Sequence, residues 1–317
     1  MLFFSVSFVG CKNSDVIRMS EVTHSVFYAP LYVAINQGYM EEEGIKIELT
    51  SGQGSDVCMS SLLSGNADIA LLGPETVVYV RANGSTNHPI IFGQLTKRDG
   101  SFLVSRTPID NFNWQTDLTG KTVIAGRRGG MPAMTFEYIV NSLGLTNGNN
   151  ITLDLDTSFG AMVPTFQGGS GDFCTMFEPT ATEYQNQGLG YIVGSVGAYS
   201  GEIPYTCFMA TSSFMKNHPD KIEGFLRAIK KAYNFIMTND SETVARALQP
   251  SFETSSIESL SYAVTSYKAI DAWMASSAMT EASFNKLLEV LKNTNTLDAS
   301  ANIKMTDVVD NSFALKI

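Results

Sequence analysis

Two arginines beside glycines, two glutamates at the starts of helices and an aromatic pair ahead of a third helix are the side chains whose placement could do chemistry. Arg127 and Arg128 lie in Gly126-Arg127-Arg128-Gly129-Gly130-Met131-Pro132. A guanidinium at a glycine-rich helix start suits capture of a sulfonate, phosphate or carboxylate, and Gly129 would let the backbone approach such a group; either arginine could instead be solvated or paired with acidic surface. Glu75 follows Gly73-Pro74, and Glu178 lies between Phe177 and Pro179. Each stands just after an apolar run, where a carboxylate either meets a ligand or simply complements the helix dipole.

Phe27 and Tyr28 precede a predicted helix and offer ring faces to a planar ligand, or packing to the core or its rim. The loop Gly52-Gln53-Gly54-Ser55-Asp56 can present backbone N–H groups and a helix N-terminus to an anionic or carbonyl group, or merely turn the chain. Arg98, next to Asp99, reads as an internal ion pair or a cleft wall, and Tyr205 opens a late strand. The candidate ligand set is therefore Phe27, Tyr28, Gln53, Gly54, Ser55, Gly73, Glu75, Arg98, Arg127, Arg128, Gly129, Phe177, Glu178 and Tyr205.

Other chemistries find less support. Cys58, Cys174 and Cys207 are far apart with no C-x-x-C pair, and His24, His88 and His218 are scattered, so neither a disulfide framework nor a metal centre is expected. No cofactor motif is present and no acid/base constellation is recognisable by spacing. A formal charge of -10 disfavours nucleic acid as a partner. The opening Phe3-Phe4-Ser5-Val6-Ser7-Phe8-Val9-Gly10-Cys11 resembles the end of a bacterial lipoprotein signal peptide, with Cys11 as the acylated residue and 1–14 as the signal remnant; a hydrophobic N-terminal strand is the other reading. No other segment approaches the roughly 18 unbroken apolar residues of a membrane span.

The elements that must position the candidate residues follow from periodicity. Short apolar runs alternate with helical patterns, each switch marked by Gly or Pro, as in βαβ units of an α/β sheet. Strands are predicted over 16–19, 45–49, 67–72, 122–125, 151–154, 172–176 and 205–210, with helices over 29–37, 55–64, 75–83, 131–144 and 179–187, Ser55 acting as an N-cap. Helical faces over 219–237, 257–274 and 284–291 read as packing helices. Gly65-Asn66-Ala67-Asp68 through Thr76 can be laid over Gly169-Ser170-Gly171-Asp172 through Thr180: both run glycine turn, Asp, apolar strand, then a Glu/Pro helix start. Two such halves would bring their carboxyl-end loops to a shared cleft.

The segment Tyr28-Ala29-Pro30-Leu31-Tyr32-Val33-Ala34-Ile35-Asn36-Gln37-Gly38-Tyr39-Met40-Glu41-Glu42-Glu43-Gly44-Ile45 resembles the opening of ABC-importer solute-binding proteins of the nitrate/sulfonate/taurine group. That superfamily also holds formylaminopyrimidine-binding proteins and yeast thiamine-pyrimidine synthases. Leu63-Ser64-Gly65-Asn66-Ala67-Asp68, Asp117-Leu118-Thr119-Gly120-Lys121 and Phe214-Met215-Lys216-Asn217-His218-Pro219-Asp220 extend the likeness over most of the chain. The resemblance implies an α/β type II periplasmic-binding-protein fold: one lobe from 15–105 and 205–317, the other from 106–204, joined by two hinge strands at 102–105 and 205–210. It further implies a monomer outside the cytoplasmic membrane, anchored through Cys11, that closes on a small organic solute and hands it to an ABC permease. Glu178 resembles in position an acid used by the formylaminopyrimidine binders, which favours an aminopyrimidine, whereas the arginines favour a sulfonate-like anion. An enzyme of thiamine-pyrimidine or menaquinone synthesis is the alternative on the same fold, although Cys174 stands alone where the yeast synthases carry clustered cysteines.

Overall fold

Among the described residues, ten strands form two five-stranded sheets of the same plan. The computed structural model describes residues 16–85 and 88–317, so the 1–14 segment with Cys11 lies outside the described residues. The first sheet holds β1 (Val16–Glu21), β2 (Lys46–Ser51), β3 (Ile69–Leu72), β4 (Ile90–Thr96) and β10 (Thr206–Ala210), in the order β2-β1-β3-β10-β4. The second holds β5 (Ser101–Ser105), β6 (Thr122–Ile124), β7 (Thr152–Asp154), β8 (Phe173–Phe177) and β9 (Tyr191–Ser195), in the order β7-β6-β8-β5-β9. In each, three strands run parallel and the fourth position is antiparallel to both neighbours.

Burial explains the strand patterns. Ile69, Ala70, Leu71 and Leu72 of β3 are all fully buried, as a central strand covered on both faces requires, whereas edge strand β2 is half exposed. The internal repeat has a structural meaning as well. Asp68 accepts from the Arg18 amide (3.0 Å) ahead of β3, and Asp172 accepts from the Thr122 amide (2.8 Å) ahead of β8. The same residue type thus clips the third strand of each sheet onto the first parallel strand.

The chain passes between sheets twice, through Lys97–Gly100 and Gly201–Tyr205, and these two crossings bond to each other: Ile203 N donates to Lys97 O at 2.9 Å and Tyr205 N to Thr96 O at 3.2 Å. The strands expected as hinges differ from this. Residues 101–105, expected in the first lobe, form β5, which pairs along its length with β8 and β9 in the second sheet, and β10 belongs wholly to the first. An apolar run carries no mark of which sheet it will join, so hydropathy could not draw that boundary.

The helix Pro219–Thr238 packs on the first sheet, its Phe225 ring against Phe92 of β4 and Phe208 of β10. Pro219–Thr238 buries Ile222, Phe225, Leu226, Ile229, Ala232 and Ile236 along one face, with Pro219 in its first turn. Ile257–Ala269 stops short of the expected 274 because Asp271 turns left-handed, with φ 52°. Beyond that turn Trp273 bridges to Thr96 and donates its indole N–H to Phe27 O at 2.8 Å. Strands β4 and β9, which the periodicity had not separated from their surroundings, complete the sheets.

Gly197 packs on the first crossing: a Cβ there would stand 2.0 Å from Asp99 O. Gly197→Ala should therefore lower stability by about 1–3 kcal/mol, read as a fall in the urea midpoint at unchanged slope.

Candidate ligand-binding site

The carboxyl ends of both sheets face a cavity of about 60 Å³, several times the roughly 10–15 Å³ that one water needs. From the first sheet's side it is lined by Val22, Thr23, Tyr28, Gly54, Ser55 and Gly73, with Tyr205 and Thr206 where the chain returns. From the second come Arg127, Gly130, Met131, Pro132, Phe159 and Phe177. Its walls are thus largely apolar, with four aromatic side chains.

Three helix N-termini reach this cavity, those of Ser55–Leu63, Glu75–Ala82 and Met131–Ser142, through Gly54 and Ser55, Gly73, and Gly130 and Met131. Ser55 differs from the N-cap expected of it. Gly54 occupies the cap, and the Ser55 hydroxyl accepts from the Gly73 amide at 3.3 Å, tying two of these helix starts together.

Across the mouth, Arg127 Nη2 lies 2.9 Å from Asp56 Oδ1, joining the two lobes. Both side chains are about half exposed, so the pair is worth less than about 1 kcal/mol, but it neutralises the arginine that lines the cavity. The Tyr79 hydroxyl donates to Gly129 O at 3.3 Å beside it.

Of the other candidates, Phe27 is fully buried behind the cavity, its ring 5.6 Å from Phe177 and 5.7 Å from Tyr205, where it supports both walls. Gln53 takes a left-handed φ of 55° and bonds to Ser51. Arg98 lies at the crossing, 3.7 Å from Glu202, and Arg128 is exposed, its amide donating to Leu155 O. Glu178 is buried, and its two oxygens accept from the Thr182 amide (3.0 Å) and hydroxyl (2.8 Å). It lines a neighbouring, larger chamber of about 110 Å³ that shares Thr23, Phe159 and Phe177 with the first.

Glu75 is 1% exposed, and its Oε2 has no hydrogen-bond partner. Burial pushes this carboxyl up to about 8, against the pull of its own amide, the Arg127 guanidinium and the Met131 amide. Burial likewise pushes Asp99, in the first crossing, up to about 6. Cys58, Cys174 and Cys207 are buried free thiols, and burial raises Cys58 to about 11 and Cys174 to about 12, which keeps them protonated. Among the described residues no group of three His, Cys, Asp or Glu could hold a metal, and no helix is long and apolar enough to cross a membrane.

Sequence reasoning had not singled out Val22, Thr23, Gly130, Met131, Pro132, Phe159 or Thr206 as lining. Phe159 follows β7 at a strand's carboxyl end, the rule that found Gly73 and Phe177, but no apolar pattern flags its loop. Met131 and Pro132 were visible as a helix start.

Two sheets of one plan, crossed twice by the chain around a shared cavity, define the type II periplasmic-binding-protein fold. The comparisons agree. The nitrate-binding protein NrtA of Synechocystis PCC 6803 superposes with a TM-score of 0.78 at 15% identity, covering 96% of this chain and 88% of that one. The ligand-binding component of an ABC-type import system from Staphylococcus aureus, with zinc bound, superposes with a TM-score of 0.75 at 14% identity, covering 95% and 98%. YtlA of Bacillus subtilis (strain 168), classed as a binding protein, is 34% identical over 319 residues, covering 100% of this chain and 95% of its own length. The NMT1/THI5-like family model matches residues 26–243. The chain belongs to the NMT1/THI5-like family.

Glu75 makes stability depend on pH with a definite sign. Its carboxyl is held as the acid up to about 8 in the folded chain against an ordinary value of 4.5, so its contribution is full below 4.5 and is lost as pH rises to about 8. Denaturation at stepped pH should show Glu75→Gln removing a decline on the order of 1.4 kcal/mol per pH unit between those limits.

Proposed function

We propose that this chain is an extracytoplasmic solute-binding lipoprotein, attached to the membrane through a lipid on Cys11, that closes on a small planar heteroaromatic and delivers it unaltered to an ABC permease. An aminopyrimidine of the thiamine-precursor kind is the solute class. The observation that carries the reading is the cavity between two sheets: Tyr28, Tyr205, Phe159 and Phe177 contribute to its walls, and its one lining arginine is already paired with Asp56. A ring slotted there touches both lobes and so supplies the differential affinity that closure needs. Family membership and the likeness to a component of an ABC-type import system support the transport role.

A second reading, an alkanesulfonate-like anion, is favoured by the three helix N-termini at the cavity, since such ends attract negative charge. Opening the Asp56 pair would free Arg127 for it.

Calorimetry should show binding of aminopyrimidines in preference to alkanesulfonates; the reverse order selects the anion reading, and turnover of a pyrimidine without stable binding would return the chain to the enzyme alternative. Material recovered from membranes should carry a diacylglyceryl group on Cys11 by peptide mass. An unmodified Cys11 in soluble protein overturns the anchoring.

A further inference from the structure

The Glu75 carboxyl and the Tyr205 hydroxyl are buried polar groups beside the cavity that lack a hydrogen-bond partner, and of the two only Glu75 is an acid. Its carboxyl lies against the α-carbon of Gly73, where an added Cβ would stand 2.0 Å from Oε2 and 2.4 Å from Oε1. Gly73 lines the cavity and Glu75 stands directly behind it, so a glycine alone lies between the carboxyl and the solute space. Met131 and Arg127, the groups that act on the carboxyl from the second lobe, line the same cavity. The other titratable groups facing Glu75 are Tyr28, Tyr79, Tyr205 and Cys207, which are neutral, and the one cation, Arg127, is engaged by Asp56.

A buried oxygen without a partner is costly, on the order of 1–3 kcal/mol, and a ligand that supplies the missing bond recovers that cost. Glu178, the acid that the sequence favours for this role, has both oxygens occupied by Thr182. Glu75 has Oε2 free.

Resting on the heteroaromatic reading above, we infer that Glu75 is the specificity-determining acid of the site, recognising a cyclic amidine edge: a ring nitrogen beside an exocyclic amino group. The acid O–H donates to the ring nitrogen while the other oxygen accepts from the amino N–H, giving two parallel hydrogen bonds in which no proton need leave the pair. The high proton affinity that burial confers suits this, because a neutral acid matches a neutral amidine edge and leaves no unpaired charge in an apolar cavity. Gly73 is the complement: only a residue without a side chain leaves room for the carboxyl beside the solute.

The test is calorimetry of the full chain with 4-aminopyrimidine and with pyrimidine, which lacks the amino group. Wild type should prefer 4-aminopyrimidine by at least about tenfold. Glu75→Met, which keeps the volume and removes both oxygens, should abolish that preference, whereas Glu75→Gln, which still offers one donor and one acceptor, should keep most of it. Gly73→Ala, which displaces the carboxyl without removing it, should reduce the preference as Glu75→Met does, and thermal unfolding confirms that each variant is folded. A Glu75→Met protein that retains the wild-type preference overturns this inference and leaves the heteroaromatic reading standing. Wild type that binds alkanesulfonates and neither pyrimidine overturns that reading, and this inference with it.

Discussion

The bonded pair of crossings, Lys97–Gly100 against Gly201–Tyr205, is the constraint from which the rest of the molecule follows. Because the chain enters the second sheet through one and leaves through the other, each sheet receives an antiparallel strand, β5 or β10, immediately after a crossing. That insertion is why the two sheets share a strand plan and why their carboxyl ends meet. Thr96 and Thr206, one on either side, add a hydroxyl contact of 2.5 Å and seal the junction.

Within the cavity, opposing electrostatic influences set what can enter. Three helix ends bring partial positive charge, and Arg127 a full one. Asp56 offsets the arginine at the mouth, and the Glu75 carboxyl stands beside Gly73 at the start of one of those helices. The residue is a near-neutral space with aromatic walls and a few directional polar groups, which is the usual composition of a small-molecule site. Selectivity in such a space comes from hydrogen-bond direction more than from charge, since an ion would have to be desolvated without a free counter-charge to receive it.

Parts of this were legible in residues alone. The aligned Asp68 and Asp172 announced a duplicated unit, and both prove to clip a third strand in the same way. Loop residues at strand ends, Gly54, Ser55, Gly73, Arg127 and Phe177, could be placed at the cavity because a parallel sheet presents its carboxyl ends on one side. Neighbours in sequence were harder. Phe27 and Tyr28 are adjacent and both aromatic, yet in the tight turn Val26–Tyr28 one ring fills the core and the other reaches the cavity. Glu75 and Glu178 fall one position apart when the repeats are aligned, and only their surroundings separate a carboxyl clamped by Thr182 from one with an oxygen free.

Local order in the chain was enough to determine the alternating elements, the repeat and the family, because periodicity, glycine turns and motif order are properties of neighbouring residues. Tertiary structure alone decided which sheet took β5, which of two adjacent rings faced the solute, that Arg127 would meet Asp56, and which glutamate kept an unbonded oxygen. Each of those depends on residues distant in sequence arriving at the same place, and burial and hydrogen bonding act on that meeting rather than on the sequence around it.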